Sequence, residues 1–128
     1  MQCSKECPKE DEEQAAIFVW SRLSEGKYPA LKHLNSSLNG VRLRIGQAMK
    51  AKRLGLSKGY PDVNLPVVNK LYSGLYIELK RVKGGSVSKE QKDWIEFLNS
   101  QGYKALVCRG SAEAIKEIKD YLSIPSTG

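Results

Sequence analysis

Residues 60–80 read YPDVNLPVVNKLYSGLYIELK and contain two segments in which apolar and polar residues alternate. The apolar positions are Val63, Leu65, Val67, Leu75, Ile77 and Leu79. A period of two is typical of a β-strand with one buried face. Between the two segments, residues 69–74 include Asn, Ser and Gly and predict a loop, so we expect an antiparallel hairpin.

Three charged residues lie on this hairpin. Glu78 and Lys80 point to the same side of their strand, whereas Leu79 turns into the apolar layer. Asp62 opens the partner strand, so pairing would bring it to the same end of the sheet. Two carboxylates with a backbone carbonyl and waters form an oxygen-rich site suited to Mg²⁺ or Mn²⁺, and a lysine beside them can offset phosphate charge. The alternative is a strand-edge salt bridge between Glu78 and Lys80.

The segments around the hairpin predict four helices and two further strands. The helices are expected at Lys9–Ser24, at about residues 43–54, at Ser88–Gln101 and at Ser111–Leu122. A short strand and a turn are expected within Ala30–Gly40, and a buried strand at Tyr103–Arg109. This order describes an α/β sandwich with a mixed sheet.

The chain carries 21 basic and 14 acidic residues, for a net charge of +7, and the excess is local. Residues 26–61 contain no acid and eight basic residues: Lys27, Lys32, Arg42, Arg44, Lys50, Lys52, Arg53 and Lys58. Such a stretch either contacts nucleic-acid phosphates or forms a solvated basic face.

The length of 128 residues fits one domain, which we expect at residues 9–123, with tails at residues 1–8 and 124–128. A single histidine, His33, excludes histidine-rich metal centres. Cys3 and Cys7 in the polar tail and Cys108 in an apolar run are expected to be reduced thiols. The longest apolar runs are too short to span a membrane, so a cytoplasmic protein is expected.

Tyr60-Pro61-Asp62 and Ile77-Glu78-Leu79-Lys80 match the PD-(D/E)XK signature of restriction-endonuclease-like nucleases. A wider order, with Lys50 and Lys52, then residues 58–62, 78–80 and 88–91, Trp94, Gly102-Tyr103 and Val107, is similar to the VRR-NUC family. The resemblance covers roughly residues 9–122. It implies an αβββαβ core with a mixed β-sheet flanked by helices, divalent-metal-dependent phosphodiester cleavage and recognition of branched DNA.

Residue by residue, the resemblance implies that Asp62 and Glu78 are metal ligands, the Leu79 carbonyl a further ligand and Lys80 the catalytic lysine. It also implies an acid on the first helix that faces the site. Four residues are candidates: Glu10, Asp11, Glu12 and Glu13. We prefer Glu13 because it lies one turn from Ile17, at the border of the core face, and Glu10 is the main alternative.

Three further features have two interpretations each. Gln91 matches a glutamine that faces the site in this family, but it can also close a capping box with Ser88. Gly110 and Ser111 can bind a phosphate or simply cap the last helix. Tyr60 and Tyr76 lie beside the predicted acids and can contact a nucleotide, whereas residues 83–86 are expected to form a turn after the catalytic strand.

We therefore expect a metal-dependent, structure-selective DNA endonuclease acting in DNA repair, with four-way (Holliday) junctions as the first substrate to test. Phosphate contacts are expected from Arg42, Lys50, Lys52, Arg53 and Lys58. The alternatives are a nuclease for flaps or linear duplexes, and an inactive basic DNA-binding module. Because resolving a junction takes two nicks, a homodimer is expected, although a monomer would suffice for flaps. No organic cofactor and no membrane partner are expected.

Overall fold

The computed structural model describes residues 7–37 and 45–127. Helix α1, Glu10–Leu23, begins with four consecutive acidic residues, which stabilise the positive end of the helix dipole. Its buried residues are Glu13, Ile17 and Ser21, at the i, i+4, i+8 spacing of one helix face. This face turns α1 toward the sheet.

The segment after α1 differs in part from the prediction. A 3₁₀-helix at Pro29–His33 replaces the start of the expected strand, which is reduced to β1, Asn35–Ser36. Pro29 favours this turn because its ring presets the backbone angle of a first helical residue. Helix α2, Ile45–Arg53, lies within the predicted helical segment, and Arg42 falls outside the described residues.

The predicted hairpin is present. Strand β2, Val63–Leu65, pairs antiparallel with β3, Leu75–Lys80, and Val63 lies opposite Ile77. The first strand ends two residues earlier than expected because Pro66 lacks the N–H that a further ladder position would need.

One mixed sheet is formed by the strands of the described ranges, in the order β1-β2-β3-β4. β1 is antiparallel to β2, and β4, Lys104–Arg109, is parallel to β3. Helix α3, Lys89–Ser100, connects β3 to β4, and α4, Ser111–Ser123, follows β4. The predicted mixed sheet flanked by helices is confirmed.

The helices cover the sheet in two layers. Leu75, Ile77 and Leu79 pack into one core with Ile17 of α1 and Ile118 of α4. The alternate β3 positions turn toward α3. Glu78 and Lys80 therefore lie on the α3 side of the strand, apart from the main apolar core.

The expectation of free thiols is wrong for Cys7 and confirmed for Cys108, and Cys3 lies outside the described residues. Cys7 is disulfide-bonded and buried, and its carbonyl accepts a hydrogen bond from Arg81 over 3.4 Å. Cys108 is free and buried, and burial raises the pKa of its thiol to about 12.

No helix within residues 7–37 and 45–127 is both long enough and apolar enough to cross a membrane.

Candidate active site

Strand β3 brings an acid and a base together in a buried position. Lys80 Nζ lies 3.9 Å from Glu78 Oε2, and the two side chains are 9% and 3% exposed, respectively. The salt bridge considered from the sequence is therefore present, but it is buried rather than at an exposed strand edge. Buried charges of this kind are costly unless they are paired or bind a ligand.

Asp62 joins this pair from the start of the neighbouring strand. Its Oδ2 accepts a hydrogen bond from the Leu79 N–H over 2.8 Å, and the residue is buried. The peptide between Glu78 and Lys80 thus holds the second carboxylate in place. Asp62, Glu78 and Lys80 meet at one end of the sheet, as the hairpin prediction required.

The loop before Asp62 is fixed by a close approach to α3. Gly59 has a φ of +88°, and a Cβ there would lie 2.5 Å from the carbonyl carbon of Glu90. Any side chain at this position would push the loop away from α3 or strain its backbone. Glycine therefore allows the segment 58–62 to reach the site.

Gln91 fulfils both of its predicted interpretations. Its Oε1 accepts from the Ser88 N–H over 2.9 Å and its own N–H donates to Ser88 Oγ over 3.1 Å, which completes the capping box of α3. Its Nε2 donates to Glu78 Oε2 over 3.0 Å. One side chain therefore caps a helix and orients a candidate ligand.

The pKa values of the two carboxylates are raised although Lys80 lies beside them. Burial and the adjacent Asp62 together raise the pKa of Glu78 to about 9, against the lowering effect of Lys80. Burial also raises the pKa of Asp62, against the lowering effects of Glu78, the Leu79 N–H and Lys80. A cation between the carboxylates would remove this penalty.

One atom of the pair is available to such a cation. Glu78 Oε1 is buried and has no hydrogen-bond partner among the residues that the structure describes. The same described ranges contain no group of three or more His, Cys, Asp or Glu side chains arranged for a metal. The two carboxylates of Asp62 and Glu78 are a donor set that suits Mg²⁺ or Mn²⁺, because Mg²⁺ commonly binds through one or two carboxylates and keeps several waters.

A cavity of about 620 Å³ surrounds these groups. It is lined by Asp62, Glu78, Leu79, Lys80 and Gln91, together with Tyr60. The ring of Tyr60 packs edge-on against Tyr76 at a centroid distance of 6.1 Å and against Trp94 at 5.0 Å. Of the two tyrosines considered for nucleotide contact, Tyr60 is the one found among the lining residues.

Glu13, the acid of the first helix that the sequence favoured, does not line the cavity. Glu13 Oε1 accepts from the Ser111 N–H over 3.1 Å and from Ser111 Oγ over 2.9 Å, so Glu13 caps α4. It shares the buried face of α1 with Ile17, and that face leads to α4. Glu10 and Asp11, on the adjoining face, line the cavity, and Glu10 lies close enough to raise the pKa of Glu78.

Ser111 is therefore not a phosphate site in this structure, and its own side chain does not cap α4. The N-cap position is Gly110, which has a φ of +91°. A Cβ there would lie 3.1 Å from Glu13 Oε2. Because Gly110 has no side chain, the Glu13 carboxylate has room at the N-terminus of α4.

The predicted basic residues fall into two groups. Lys58 lines the cavity and lies 4.0 Å from Glu90, with its side chain 81% exposed. Lys50, Lys52 and Arg53 are exposed on α2 and are not among the described residues that line the cavity.

Three lining residues were not singled out from the sequence: Lys9, Gln14 and Ser86. Gln14 lies one turn after Glu10 on α1, so choosing Glu10 would have identified it. Nothing in the local pattern marks Lys9 or Ser86, because they reach the cavity only through the packing of α1 and the loop after β3.

The VRR-NUC domain family matches residues 2–112 of the chain. A solved structure described as a VRR_NUC domain protein is similar over 93% of this chain and 92% of its own, with 30% sequence identity and a TM-score of 0.77. No curated protein matches. A VRR-NUC domain indicates a nuclease that processes DNA. The chain belongs to the VRR-NUC family.

Proposed function

We propose that this protein is a divalent-metal-dependent endodeoxyribonuclease whose reaction takes place in the cavity at Asp62, Glu78 and Lys80. The observation that carries the proposal is the buried Glu78 carboxylate, which lies beside a second buried carboxylate and whose Oε1 has no hydrogen-bond partner among the described residues. Two buried carboxylates side by side cost stability unless they are paired or bind a ligand. The DNA-processing family of the chain makes a phosphodiester the substrate.

Asp62 and Glu78 would hold Mg²⁺ or Mn²⁺, with the Leu79 carbonyl as a further ligand. When bound, such an ion supplies Lewis-acid stabilisation of the charge that develops on the phosphate. Glu10 or Asp11 faces the same cavity from α1 and replaces Glu13 as the first-helix acid in this proposal.

The protein's own groups complete the reaction site. Lys80 places a positive charge 3.9 Å from Glu78, where it can offset negative charge on the phosphate or orient the attacking water. Gln91 holds the Glu78 carboxylate in one orientation through the 3.0 Å hydrogen bond. The low exposure of Glu78 and Lys80 strengthens these interactions because little water screens them.

Four-way junctions are the proposed substrate. Phosphate contacts from Lys58, Lys50, Lys52 and Arg53 would supply affinity without reading base sequence. Because the three central residues occur once per chain, one protomer cuts one bond at a time, and paired nicks at a junction call for a homodimer. Light scattering should then give about twice the chain mass of 14.3 kDa.

The test is cleavage of labelled four-way junctions, flaps, forks and linear duplexes, with Mg²⁺, with Mn²⁺ and with a chelator. We expect metal-dependent nicking with the highest rate on four-way junctions. A highest rate on flaps or duplexes would reject the junction assignment and keep the nuclease. Binding without cleavage in both metals would contradict the proposed activity and favour an inactive DNA-binding domain.

A further inference from the structure

The loop that leaves β3 has an unusual backbone. Gly84 has a φ of +82° and Gly85 a φ of +66°, so two successive residues adopt the left-handed conformation. Residues other than glycine rarely adopt this conformation. Because glycine has no side chain to restrict its backbone, contacts from other residues have to hold the loop. From the sequence alone this segment is only a turn, yet it continues into Ser86 and Ser88, which line the cavity.

A single guanidinium group holds this loop. Arg109, at the end of β4, donates from Nη1 to the carbonyls of Arg81 over 3.0 Å and Gly84 over 2.9 Å. Its Nη2 donates to the Gly85 carbonyl over 3.2 Å. The planar fork of an arginine binds several carbonyls in fixed directions, a geometry that the single rotating ammonium of a lysine does not reproduce.

The contacts continue from the loop to the candidate metal ligand. The loop ends at Ser88, the N-cap of α3, whose N–H is bound by Gln91. Gln91 in turn donates to Glu78 over 3.0 Å. Arg109 also lies opposite Lys80 in the parallel pairing of β3 and β4. Arg109 therefore lies beside Lys80 in the sheet. Its guanidinium supports the loop that leads to Gln91 and so to the hydrogen bond on Glu78.

Arg109 is poorly placed to bind a DNA phosphate instead. Both N–H groups of Nη1 are used by the Arg81 and Gly84 carbonyls, and Nη2 uses one for Gly85. Three of its five N–H groups therefore already bind loop carbonyls, and a phosphate would have to share the guanidinium with them. The arrangement is that of a structural clamp directed at the protein's own backbone.

We propose that Arg109 is a positioning residue for the metal centre, acting through the loop of residues 81–88 and Gln91 on the Glu78 carboxylate. The inference rests on the proposed function, because Arg109 can position a metal ligand only if Glu78 binds a metal. Groups that orient metal ligands typically change metal affinity or activity by about 10- to 100-fold when they are removed. A similar effect is expected here.

The test compares wild type with Arg109→Lys and Arg109→Ala, and uses Arg22→Ala, an exposed residue of α1, as the control for loss of one positive charge. Three quantities are measured: Mn²⁺ affinity by electron paramagnetic resonance, hydrogen exchange of residues 82–88, and single-turnover junction cleavage. For both Arg109 variants we expect the Mn²⁺ affinity or the cleavage rate to be about 10- to 100-fold lower than that of wild type. Exchange in the loop should become faster, and affinity for DNA in chelator should stay within about twofold of wild type.

Chemical rescue separates positioning from a general effect on stability. Guanidinium ion at millimolar concentration should restore part of the Mn²⁺ affinity of Arg109→Ala, whereas sodium chloride of equal ionic strength should not. If Arg109→Ala does not fold, Arg109→Lys, which keeps the charge and the alkyl chain, is compared with wild type for Mn²⁺ affinity and loop exchange at equal stability.

Two results would overturn the inference while the proposed function stands. One is Mn²⁺ affinity and cleavage of both variants within twofold of an active wild type. The other is faster loop exchange without any change in metal affinity or cleavage. A wild-type protein that neither binds Mn²⁺ nor cuts DNA would instead contradict the proposed function, and the role of Arg109 with it.

Discussion

Glu13 on α1 and Ser111 on α4 are joined by two hydrogen bonds to one carboxylate oxygen, of 3.1 Å from the Ser111 N–H and 2.9 Å from its hydroxyl. The carboxylate lies at the positive end of the α4 dipole, where a negative charge is stabilising. Glu13 therefore joins two helices of the same layer, and Glu10, one turn earlier, lines the cavity.

Glu13 and Glu10 should have separable roles. Glu13→Ala removes the acceptor of two partly buried donors and should lower the free energy of unfolding by about 1–3 kcal/mol. Glu10→Gln should leave stability nearly unchanged and reduce cleavage, because Glu10 faces the cavity. Urea unfolding and single-turnover cleavage of both variants test this division. Loss of cleavage by Glu13→Ala at unchanged stability would reverse the assignment.

The misplacement of Glu13 shows where sequence reasoning ends. Helical spacing correctly put Glu13 on the same face as Ile17, but it could not show what packs against that face. The N-terminus of α4 approaches there, and Gly110 leaves room for this approach, because a Cβ at that position would lie 2.8 Å from Val82 Cγ2 and 3.1 Å from Glu13 Oε2. This is a tertiary contact between positions 98 residues apart, and no local pattern encodes it.

The hairpin that carries Asp62, Glu78 and Lys80 could be predicted because the pattern that determines it is local. Alternation of apolar residues fixes which side chains share a face, and the register that places Val63 opposite Ile77 brings Asp62 close to Glu78. The clamp of Arg109 could not be predicted, since it depends on two backbone angles and on the parallel pairing of β4. The disulfide at Cys7 was missed because cysteine spacing in a polar tail does not determine oxidation state.

The metal-free protein should lose stability as pH rises. The folded state keeps the proton of Glu78 up to a pKa of about 9, whereas the unfolded chain loses it near 4.5. Between these two pKa values the folded state binds more protons than the unfolded chain. The free energy of unfolding therefore decreases as pH rises through this range. Glu78→Gln should show a smaller fall.

The measurement is urea unfolding in chelator across this pH range, repeated with Mg²⁺. Added metal should reduce the loss at high pH, because Mg²⁺ held by Asp62 and Glu78 would bind the folded state and stabilise their deprotonated carboxylates. Parallel profiles for wild type and Glu78→Gln in chelator would show that the buried carboxylate does not control this behaviour.

The exposed basic residues of α2 should contribute to DNA affinity through phosphates. Combined replacement of Lys50, Lys52 and Arg53 by alanine should weaken binding to all sequences and reduce the slope of log K against log salt concentration by roughly one unit per lost contact. Binding is measured in chelator so that no DNA is cut. The control replaces three other exposed lysines by alanine, Lys27, Lys32 and Lys119, so that both variants lose the same charge. Equal changes of slope in both variants would indicate a general charge effect.

The central claim is that Asp62 and Glu78 together hold the ion that permits cleavage, and the most direct measurement is single-turnover cleavage of a labelled four-way junction in Mg²⁺ by Asp62→Asn and Glu78→Gln. Each variant removes one anionic ligand and keeps the shape of the side chain. We predict a loss of rate of about a hundredfold or more for each, with the fold and DNA affinity retained. Cleavage by either variant at a rate near that of wild type would contradict the account.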